Sequence, residues 1–394
     1  MILRISGAFL RCCICLASLC GLAFTNGSQA SESLPEISIM ATPDEGVQPR
    51  LVTDSDGGVH LLYFKKRLRT PAAREGNLFY RQYLPEQGRF SQPVKVSSTA
   101  FNLQSYAIAR AALAIDGAGR AHVMWYLPRS DHYFYTRSNP ERTQFETQRS
   151  MVQDFIQGHD AGGDIAAFGD QVAIVWGAGD LSREDERTMF ARFSHDGGAS
   201  FGAETMISNP DFGACACCAM AADYLNNQEL LVAYRSAIDG IGRHMQLLTV
   251  EGVNNAPTGS RYAQTQALQE WEASFCPLST NDIASDKSGQ NWLVFETESR
   301  IVQMALPDGE AMSVADPFIE TRQKNPAVAI DEQGLRLIVW GEAISHTRGG
   351  RLNMQLYDAA GRVDDFSFSE EIAIGDFSFP AAAAIGAGQF LVLY

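Results

Sequence analysis

A short phrase recurs seven times along this chain, and each copy ends in an aromatic residue. Each copy consists of two β-prone runs joined by a turn rich in Gly, Asn or Asp, which is the pattern of a β-hairpin. The closing aromatic residues are 45 to 62 residues apart, about one four-stranded blade per repeat. The sequence therefore predicts an all-β protein, a β-propeller. The closing residues are Tyr63, Trp125, Trp176, Tyr234, Phe295, Trp340 and Tyr394.

The hairpin count favours seven four-stranded antiparallel blades over six. The segment Glu36–Met40 resembles an outermost strand that leads into the first blade. We expect it to pair with the last blade and close the ring, because closure hides an exposed sheet edge. The chain stops at Tyr394, at the end of the seventh hairpin. Either the last blade is incomplete, or the chain is cut short, or the ring has six blades and one hairpin is over-read.

Residues 1–30 have the features of a signal peptide. Arg4 and Arg11 flank an apolar run that is too short to favour a membrane span, and small residues precede a cleavage point after Ala30. Lipid attachment at Cys20 is less favoured, because a leucine stands before it where a small residue is needed. We therefore expect export to the periplasm or the medium, with no stable membrane insertion after cleavage.

The negative net charge limits the kinds of partner that the protein is expected to bind. The chain of 394 residues has a formal net charge of −15 at pH 7, and loss of the two arginines in the signal peptide would make it −17. Nucleic acids and anionic membranes are bound by basic stripes, so neither is expected as a partner. Residues 31–394 are enough for one large all-β core. We expect a single propeller domain and a monomer.

Four of the eight cysteines lie outside the signal peptide: Cys215, Cys217, Cys218 and Cys276. They fall in segments that lead into two successive blades, so they could converge on the same central face. In an oxidising compartment an even number of cysteines indicates disulfides first. Cys276 would then pair with Cys217 or Cys218, because these two neighbours are hard to bridge to each other. The alternatives are a thiolate site for copper or zinc, as Cu(I) or Zn(II), and a redox-active dithiol.

Charged residues in the segments that lead into the blades are candidates for ligand binding. The arginines together could form a positive spot that suits a carboxylate or sulfate, although each alone is more readily a surface charge. His60 and His122 occupy equivalent places in the first two blades, which favours a packing role. The candidates for ligand binding are Arg50, Arg110, His159, Asp160 and Arg322.

One segment resembles the Asp-box pattern S-x-D-x-G-x-S/T-F/W of the sialidase (BNR-repeat) superfamily. The Asp carboxylate can accept backbone N–H groups of the turn, the glycines permit positive φ, and the aromatic residue packs beneath. The turn is expected to stabilise the fold and says little about activity. Its residues are Ser194, Asp196, Gly198, Ser200 and Phe201.

A second, narrower resemblance covers about two blades. Exported bacterial sialidase-like propellers carry a C-x-C-C cluster, an A-Y-R at the end of the following strand and a later C-P. In this chain those positions are Cys215, Cys217, Cys218, Arg235, Cys276 and Pro277. The resemblance implies the propeller fold and export, and it adds Arg235 to the candidates for ligand binding.

The sialidase resemblance implies a glycoside hydrolase with an arginine triad, a Tyr nucleophile backed by Glu, and an Asp acid/base. The sequence departs from that pattern: the opening R-I-P signature is absent and only one good Asp-box is present. Tyr234 and Glu296 end neighbouring strands, but they are equally well repeat anchors. The sequence therefore favours a non-catalytic binding module for a glycan or protein ligand. The alternatives are an exo-sialidase-like hydrolase and a metal- or redox-linked periplasmic protein centred on the cysteines.

Overall fold

The computed structural model describes residues 3–4, 35–70, 73–103, 110–127, 132–157, 162–251, 263–315, 321–343, 345 and 347–394. Within these ranges the protein is all-β, as predicted. Of the predicted signal peptide only the two residues Leu3–Arg4 are described; the remainder lies outside the described residues. No helix in the described part is both long and apolar enough to cross a membrane. The short 3-10 helices found there are Pro43–Glu45, Pro85–Gln87, Glu184–Glu186 and Pro210–Phe212.

The strands are numbered in chain order and form seven sheets, here termed blades 1 to 7. The first two strands are β1 (Leu3–Arg4) and β2 (Glu36–Met40). Blade 1 contains β3 (Val47–Thr53), β4 (Val59–Lys66), β5 (Glu75–Leu84), β6 (Arg89–Phe90), β7 (Val94–Lys95) and β8 (Phe101–Asn102). Blade 2 contains β9 (Ala112–Ile115), β10 (Ala121–Leu127), β11 (His132–Arg137) and β12 (Arg149–Ser150). Blade 3 contains β13 (Asp164–Phe168), β14 (Gln171–Ala178), β15 (Thr188–Ser194) and β16 (Thr205–Met206).

Blade 4 contains β17 (Ala221–Tyr224), β18 (Glu229–Arg235), β19 (Met245–Glu251) and β20 (Gln264–Gln269). Blade 5 contains β21 (Asp282–Ser285), β22 (Asn291–Thr297), β23 (Arg300–Ala305) and β24 (Met312–Ser313). Blade 6 contains β25 (Arg322–Ile330), β26 (Arg336–Ala343), β27 (Arg348–Asp358), β28 (Gly361–Arg362) and β29 (Ala373–Asp376). Blade 7 contains β30 (Ala381–Gly386) and β31 (Gln389–Leu393), followed by β2 and β1.

The first strand of each blade faces the centre, and these inner strands contact one another in a closed ring from β3 through β30 and back to β3. The hydrophobic core lies between neighbouring sheets. Six of the seven repeat aromatics are buried there, each no more than 2% exposed, whereas Tyr394 is half-buried. Burying a large apolar side chain stabilises the fold by about 1.5–3 kcal/mol. The repeat is therefore the pattern of residues that pack one blade on the next.

Strand β2 closes the ring, as predicted, but in an unexpected position. It pairs in parallel with β31, with Ile37 opposite Phe390 and Met40 opposite Leu393. In a meandering blade the fourth strand runs parallel to the second, so β2 has the direction of a fourth strand but occupies the third place. The prediction of entirely antiparallel blades is therefore wrong for blade 7. The contact is reinforced where the backbone N–H of Thr42 donates to the Tyr394 carbonyl at 2.8 Å.

Blades 1 and 6 keep the predicted four strand positions, but several short strands share the fourth, so these blades contain six and five strands. In both blades the third strand is long enough to take several short partners along its outer edge. Strand β5 pairs in succession with β6, β7 and β8. Strand β27 pairs with both β28 and β29.

Blades 1 and 2 each contain an Asp–His–Tyr chain around a buried histidine. In blade 1 the His60 ring lies 2.7 Å from the Asp54 carboxylate and 2.5 Å from the Tyr80 hydroxyl. Burial lowers the pKa of both histidines, despite the opposing effect of the neighbouring aspartate. Both rings are 0% exposed, so they have the packing role that the repeat predicts. The equivalent residues of blade 2 are Asp116, His122 and Tyr135.

Candidate functional site

Two loops bring the four cysteines, here termed the thiol cluster, together. Cys215, Cys217 and Cys218 lie just before β17, and Cys276 lies just before β21. The Sγ atom of Cys215 is 3.7 Å from that of Cys217 and 3.5 Å from that of Cys218. The sulfurs of Cys215, Cys217 and Cys276 and a carboxylate oxygen of Glu184 all lie within 4.8 Å of one another. The two loops thus place the cysteines next to one another.

The sulfur separations differ from those of disulfides. A disulfide bond is about 2.05 Å long, whereas all four cysteines of the thiol cluster are free thiols. Two thiolates bound tetrahedrally to one Zn(II) at about 2.3 Å would be about 3.8 Å apart, close to the 3.7 Å between Cys215 and Cys217. The disulfides favoured by the sequence are therefore not formed in this structure. Cys217 and Cys218 both lie within 3.7 Å of Cys215, so the sulfurs form a group instead of two pairs.

Backbone contacts hold the C-x-C-C loop from both neighbouring blades. The Cys215 N–H donates to the Arg235 carbonyl at 2.9 Å, and the Ala219 N–H donates to the Ser279 carbonyl at 3.2 Å. Gly162 of blade 3 packs so closely that a Cβ atom there would lie 2.3 Å from a carbonyl oxygen of the loop. Only glycine fits at that position. The loop is thus fixed by its surroundings, and a fixed loop presents its sulfurs with little ordering on binding.

Glu184 and Arg243 complete the surroundings of the thiol cluster. One carboxylate oxygen of Glu184 accepts the N–H of Ala216, in the middle of the C-x-C-C loop, at 3.0 Å. The other carboxylate oxygen lies 2.6 Å from the Arg243 guanidinium. The side chain of Glu184 is only 15% exposed, and that of Arg243 only 5%. Sequence reasoning missed both residues. Glu184 is one of several acidic residues in a turn of blade 3, and no local spacing marks it as a neighbour of cysteines thirty residues later.

The thiols divide into two acidic and two weakly acidic groups. Hydrogen bonds from neighbouring thiols lower the pKa of Cys215, and they lower the pKa of Cys276 to about 4. The same hydrogen bonds raise the pKa of Cys217 and of Cys218. The positive charge of Arg243 further lowers the pKa of Cys215. Metal ions bind thiolates and not thiols, so Cys217, whose pKa is raised, would have to lose its proton when an ion binds.

Arg235 supports the thiol cluster from below. Its side chain donates to the carbonyl of Arg243 at 2.8 Å and to the carbonyl of Glu296. The guanidinium also lies 5.1 Å from the centre of the Trp271 ring, and the residue is 3% exposed. The guanidinium of this candidate for ligand binding is therefore buried and paired with other groups of the protein.

A buried ion pair supports the Cys276 loop. Lys324 lies 3.6 Å from the Glu296 carboxylate, and it donates to the carbonyl of Pro277, which follows Cys276. Burial raises the pKa of Glu296, although the charge of Lys324 opposes this. Tyr234 packs in the hydrophobic cluster shared by blades 3 and 4. Glu296 and Tyr234 thus have separate structural partners.

Two of the predicted arginines meet in the central channel. The Arg50 guanidinium lies 2.6 Å from the Asp282 carboxylate, across the ring from blade 1 to blade 5. Arg110 donates to the carbonyl of Asn281 at 3.0 Å. Burial, followed by the charge of Arg50, lowers the pKa of Arg110 to about 10. Both side chains therefore have partners within the protein.

The candidates for ligand binding that remain are Arg322, His159 and Asp160. Arg322 is exposed at the start of β25. His159 and Asp160 lie outside the described residues.

The turn that resembles an Asp-box connects β15 and β16. Its Asp196 carboxylate accepts the N–H of Ser200 at 2.9 Å and the hydroxyls of Ser200 and Ser194 at 2.5 and 2.7 Å. Partial burial raises the pKa of Asp196, but the hydrogen bonds outweigh it and lower the pKa to about 2. Gly198 has φ of 74°, and Phe201 packs on Tyr135 with ring centres 5.0 Å apart. These contacts make the turn a structural element that joins blades 2 and 3.

No protein-family model matches this chain, and no curated protein matches it either. Among solved structures it is similar to hydrazine synthase of Kuenenia stuttgartiensis, with 11% identity over 93% of this chain and 94% of that one, and a TM-score of 0.52. It is similar to an α-L-arabinanase of Penicillium chrysogenum complexed with arabinobiose, at 11% identity, 82% and 98% coverage, and a TM-score of 0.50. The Hadza microbial sialidase Hz136 matches at 12% identity and a TM-score of 0.49, over 80% of this chain and 66% of the sialidase. At such identities likeness shows the fold alone, and that fold is the β-propeller.

Proposed function

We propose that this protein is a non-catalytic binding propeller whose ligand is one soft or borderline metal ion, Cu(I) or Zn(II). Three thiolates are enough to coordinate Cu(I), and they would come from Cys215, Cys217 and Cys276. Glu184 would supply the fourth ligand that Zn(II) needs. The observation that carries the proposal is that one atom from each of these four residues lies within 4.8 Å of all the others. Such a grouping can surround one ion without rearrangement of the fold.

The charges around the site support the same proposal. Three thiolates and a carboxylate carry more negative charge than one ion neutralises, and buried charge needs compensation. Arg243 lies against Glu184, and its charge also acts on Cys215. Arg235 lies next to Cys218, and its charge opposes the rise of the Cys218 pKa that the hydrogen bond from Cys215 causes. Two guanidinium groups thus offset the excess negative charge.

Glycan hydrolysis receives less support from the geometry. A sialidase-type mechanism needs a tyrosine nucleophile hydrogen-bonded to a glutamate. Tyr234 packs in an apolar cluster, whereas Glu296 pairs with Lys324. A glycan or protein ligand at the central channel stays a prediction from the sequence, since Arg50 and Arg110 are already paired there.

The test is Co(II) and Zn(II) titration of the reduced, metal-free protein under anaerobic conditions. Co(II) bound by thiolates gives intense near-ultraviolet charge-transfer absorption, so the number of thiolate ligands and the stoichiometry are read together. We expect one ion per chain, and Zn(II) should displace Co(II). Cu(I) binding is measured in parallel by competition with a chromophoric chelator.

Matched variants locate the site. Cys217→Ser should weaken Zn(II) binding at least ten-fold and reduce the charge-transfer absorption of the Co(II) form. The control is Met220→Leu, which removes a different sulfur of the same loop with little change of volume. It should leave both signals unchanged. Absence of stoichiometric binding of every ion, or equal affinity of the two variants, would overturn the proposal.

A further inference from the structure

We propose that the surface around Cys276 docks a basic protein that carries its own thiol metal site, and that the ion passes between the two proteins through Cys276. The docking surface consists of residues 238–244 and 270–276. This inference rests on the proposed function, because it assigns a partner to the same metal site.

Cys276 is the open side of the thiol cluster. Cys215, Cys217 and Cys218 are between 5% and 8% exposed, whereas Cys276 is exposed. Its sulfur still lies within 4.8 Å of the other ligand atoms. A thiol on an incoming protein can therefore approach the ion at Cys276, which is also the cysteine that can leave with least disturbance of the fold.

Exposed apolar side chains lie beside Cys276. Phe275 is 52% exposed and Ile241 is 44% exposed. Their segments are joined by a hydrogen bond from the Ala273 N–H to the Ile241 carbonyl at 2.9 Å and by a bridge between Gly242 and Glu272. The two apolar groups are therefore fixed relative to each other. Apolar groups exposed beside polar ones are typical of protein–protein contact sites.

The charge of the docking surface selects a basic partner. Asp239, Glu270 and Glu272 are all exposed on these two segments. Arg243 is the only Lys or Arg in them, and it is buried against Glu184. A surface that offers carboxylates around an apolar centre attracts proteins whose own contact surface carries Lys or Arg. Such attraction raises association rates by about ten-fold or more at low salt.

The transfer step is a ligand exchange without oxidation or reduction. A thiol of the partner loses its proton and forms a bond to the ion while the bond from Cys276 to the ion breaks. That proton passes to the solvent, and Cys276 is left as a free thiolate. A second partner thiol replaces Cys217 in the same way. The bonds from Cys215 and Glu184 then break as water or other ligands of the partner take their places, and the oxidation state of the ion does not change.

The experiment uses Zn(II)-loaded full-length protein and two synthetic acceptor peptides. Both peptides contain C-x-x-C, flanked by lysines in one and by glutamates in the other. The rate of Zn(II) transfer is measured by rapid separation and metal analysis. At low ionic strength the lysine peptide should take the ion about ten-fold faster than the glutamate peptide, and the difference should shrink as salt screens the charges.

Two matched variants identify the surface. Glu272→Lys should slow transfer to the lysine peptide several-fold, while equilibrium Zn(II) affinity stays unchanged. Glu332→Lys makes the same charge change at an exposed position in blade 6 and should not slow it. Equal rates for the two peptides at low salt, or equal slowing by both variants, would overturn the docking proposal. Failure to bind Zn(II) at all would instead contradict the proposed function.

Discussion

The ion pair between Arg50 and Asp282 gives a quantitative test of how the ring is held together. The two groups are 2.6 Å apart and 12% and 10% exposed, and they join blade 1 to blade 5 across the channel. Asp282 also accepts the N–H of Val328 at 3.1 Å. The substitution Asp282→Asn can keep the bond from Val328 but removes the negative charge, so Arg50 stays buried without its nearest counter-ion.

The expected loss of stability follows from this burial. Breaking a buried ion pair at one partner costs about 3–5 kcal/mol. The charges of Asp164 and Asp223 also help to raise the pKa of Arg50, and both remain in the variant. The loss of stability should therefore be at the lower end of this range, about 3 kcal/mol. With an unfolding entropy of about 2.1 cal/mol/K per residue, the chain has about 0.8 kcal/mol/K in total. The variant should therefore melt about 4 °C lower.

An exposed ion pair of equal length is the control. Lys287 and Glu332 are also 2.6 Å apart, but they are 71% and 52% exposed. Exposed pairs contribute about 0–1 kcal/mol, so Glu332→Gln should lower the melting temperature by about 1 °C or less. Calorimetry at pH 7 compares both variants with the parent protein. Equal decreases in melting temperature for the two variants would show that burial does not determine what an ion pair contributes, because only burial distinguishes the two pairs.

Three further predictions concern single side chains. Burial raises the pKa of Asp223 to about 6, so the folded protein favours the protonated form of this side chain. The free energy of unfolding should therefore fall as pH rises through 6. The variant Asp223→Asn should abolish that fall in melting curves between pH 4.5 and 7.5. Asp196 has a pKa of about 2, lowered by hydrogen bonds that outweigh burial, so its stabilisation is present above about pH 4 and lost as pH falls through 2. Because Asp196 is exposed, Asp196→Asn should reduce the unfolding free energy at pH 7 by only about 1 kcal/mol, and a loss above 3 kcal/mol in denaturant titration would contradict this. Glu184→Gln should weaken Zn(II) binding about 10–100-fold, measured by chelator competition, and unchanged affinity would show that its charge plays no part.

The sequence reveals the blades because each blade repeats the same local requirement. A hairpin buried between neighbouring sheets needs β-prone apolar residues, a tight turn and a large residue to fill the interface. Trp125, Trp176 and Trp340 satisfy that requirement, and all three are buried. The approach of the two cysteine loops was also predictable, because both lead into inner strands of adjacent blades.

Contacts between distant blades carry no such local signal. The pairing of Arg50 with Asp282 and the approach of Glu184 to the thiol cluster depend on where seven sheets place their loops in three dimensions. The position of β2 depends on which sheet edge is open, and the direction of β2 alone fits more than one place. The spacing of Cys215, Cys217 and Cys218 likewise permits disulfides as readily as a metal site. Only the sulfur positions distinguish the two.

X-ray absorption at the zinc edge of the Zn(II)-loaded protein identifies the atoms bound to the ion. We expect three sulfur neighbours at about 2.3 Å and one oxygen neighbour at about 2.0–2.2 Å. The oxygen neighbour is the Glu184 carboxylate, the non-sulfur group among the four ligands. A spectrum with only oxygen and nitrogen neighbours would contradict the account, because it would place the ion away from Cys215, Cys217 and Cys276.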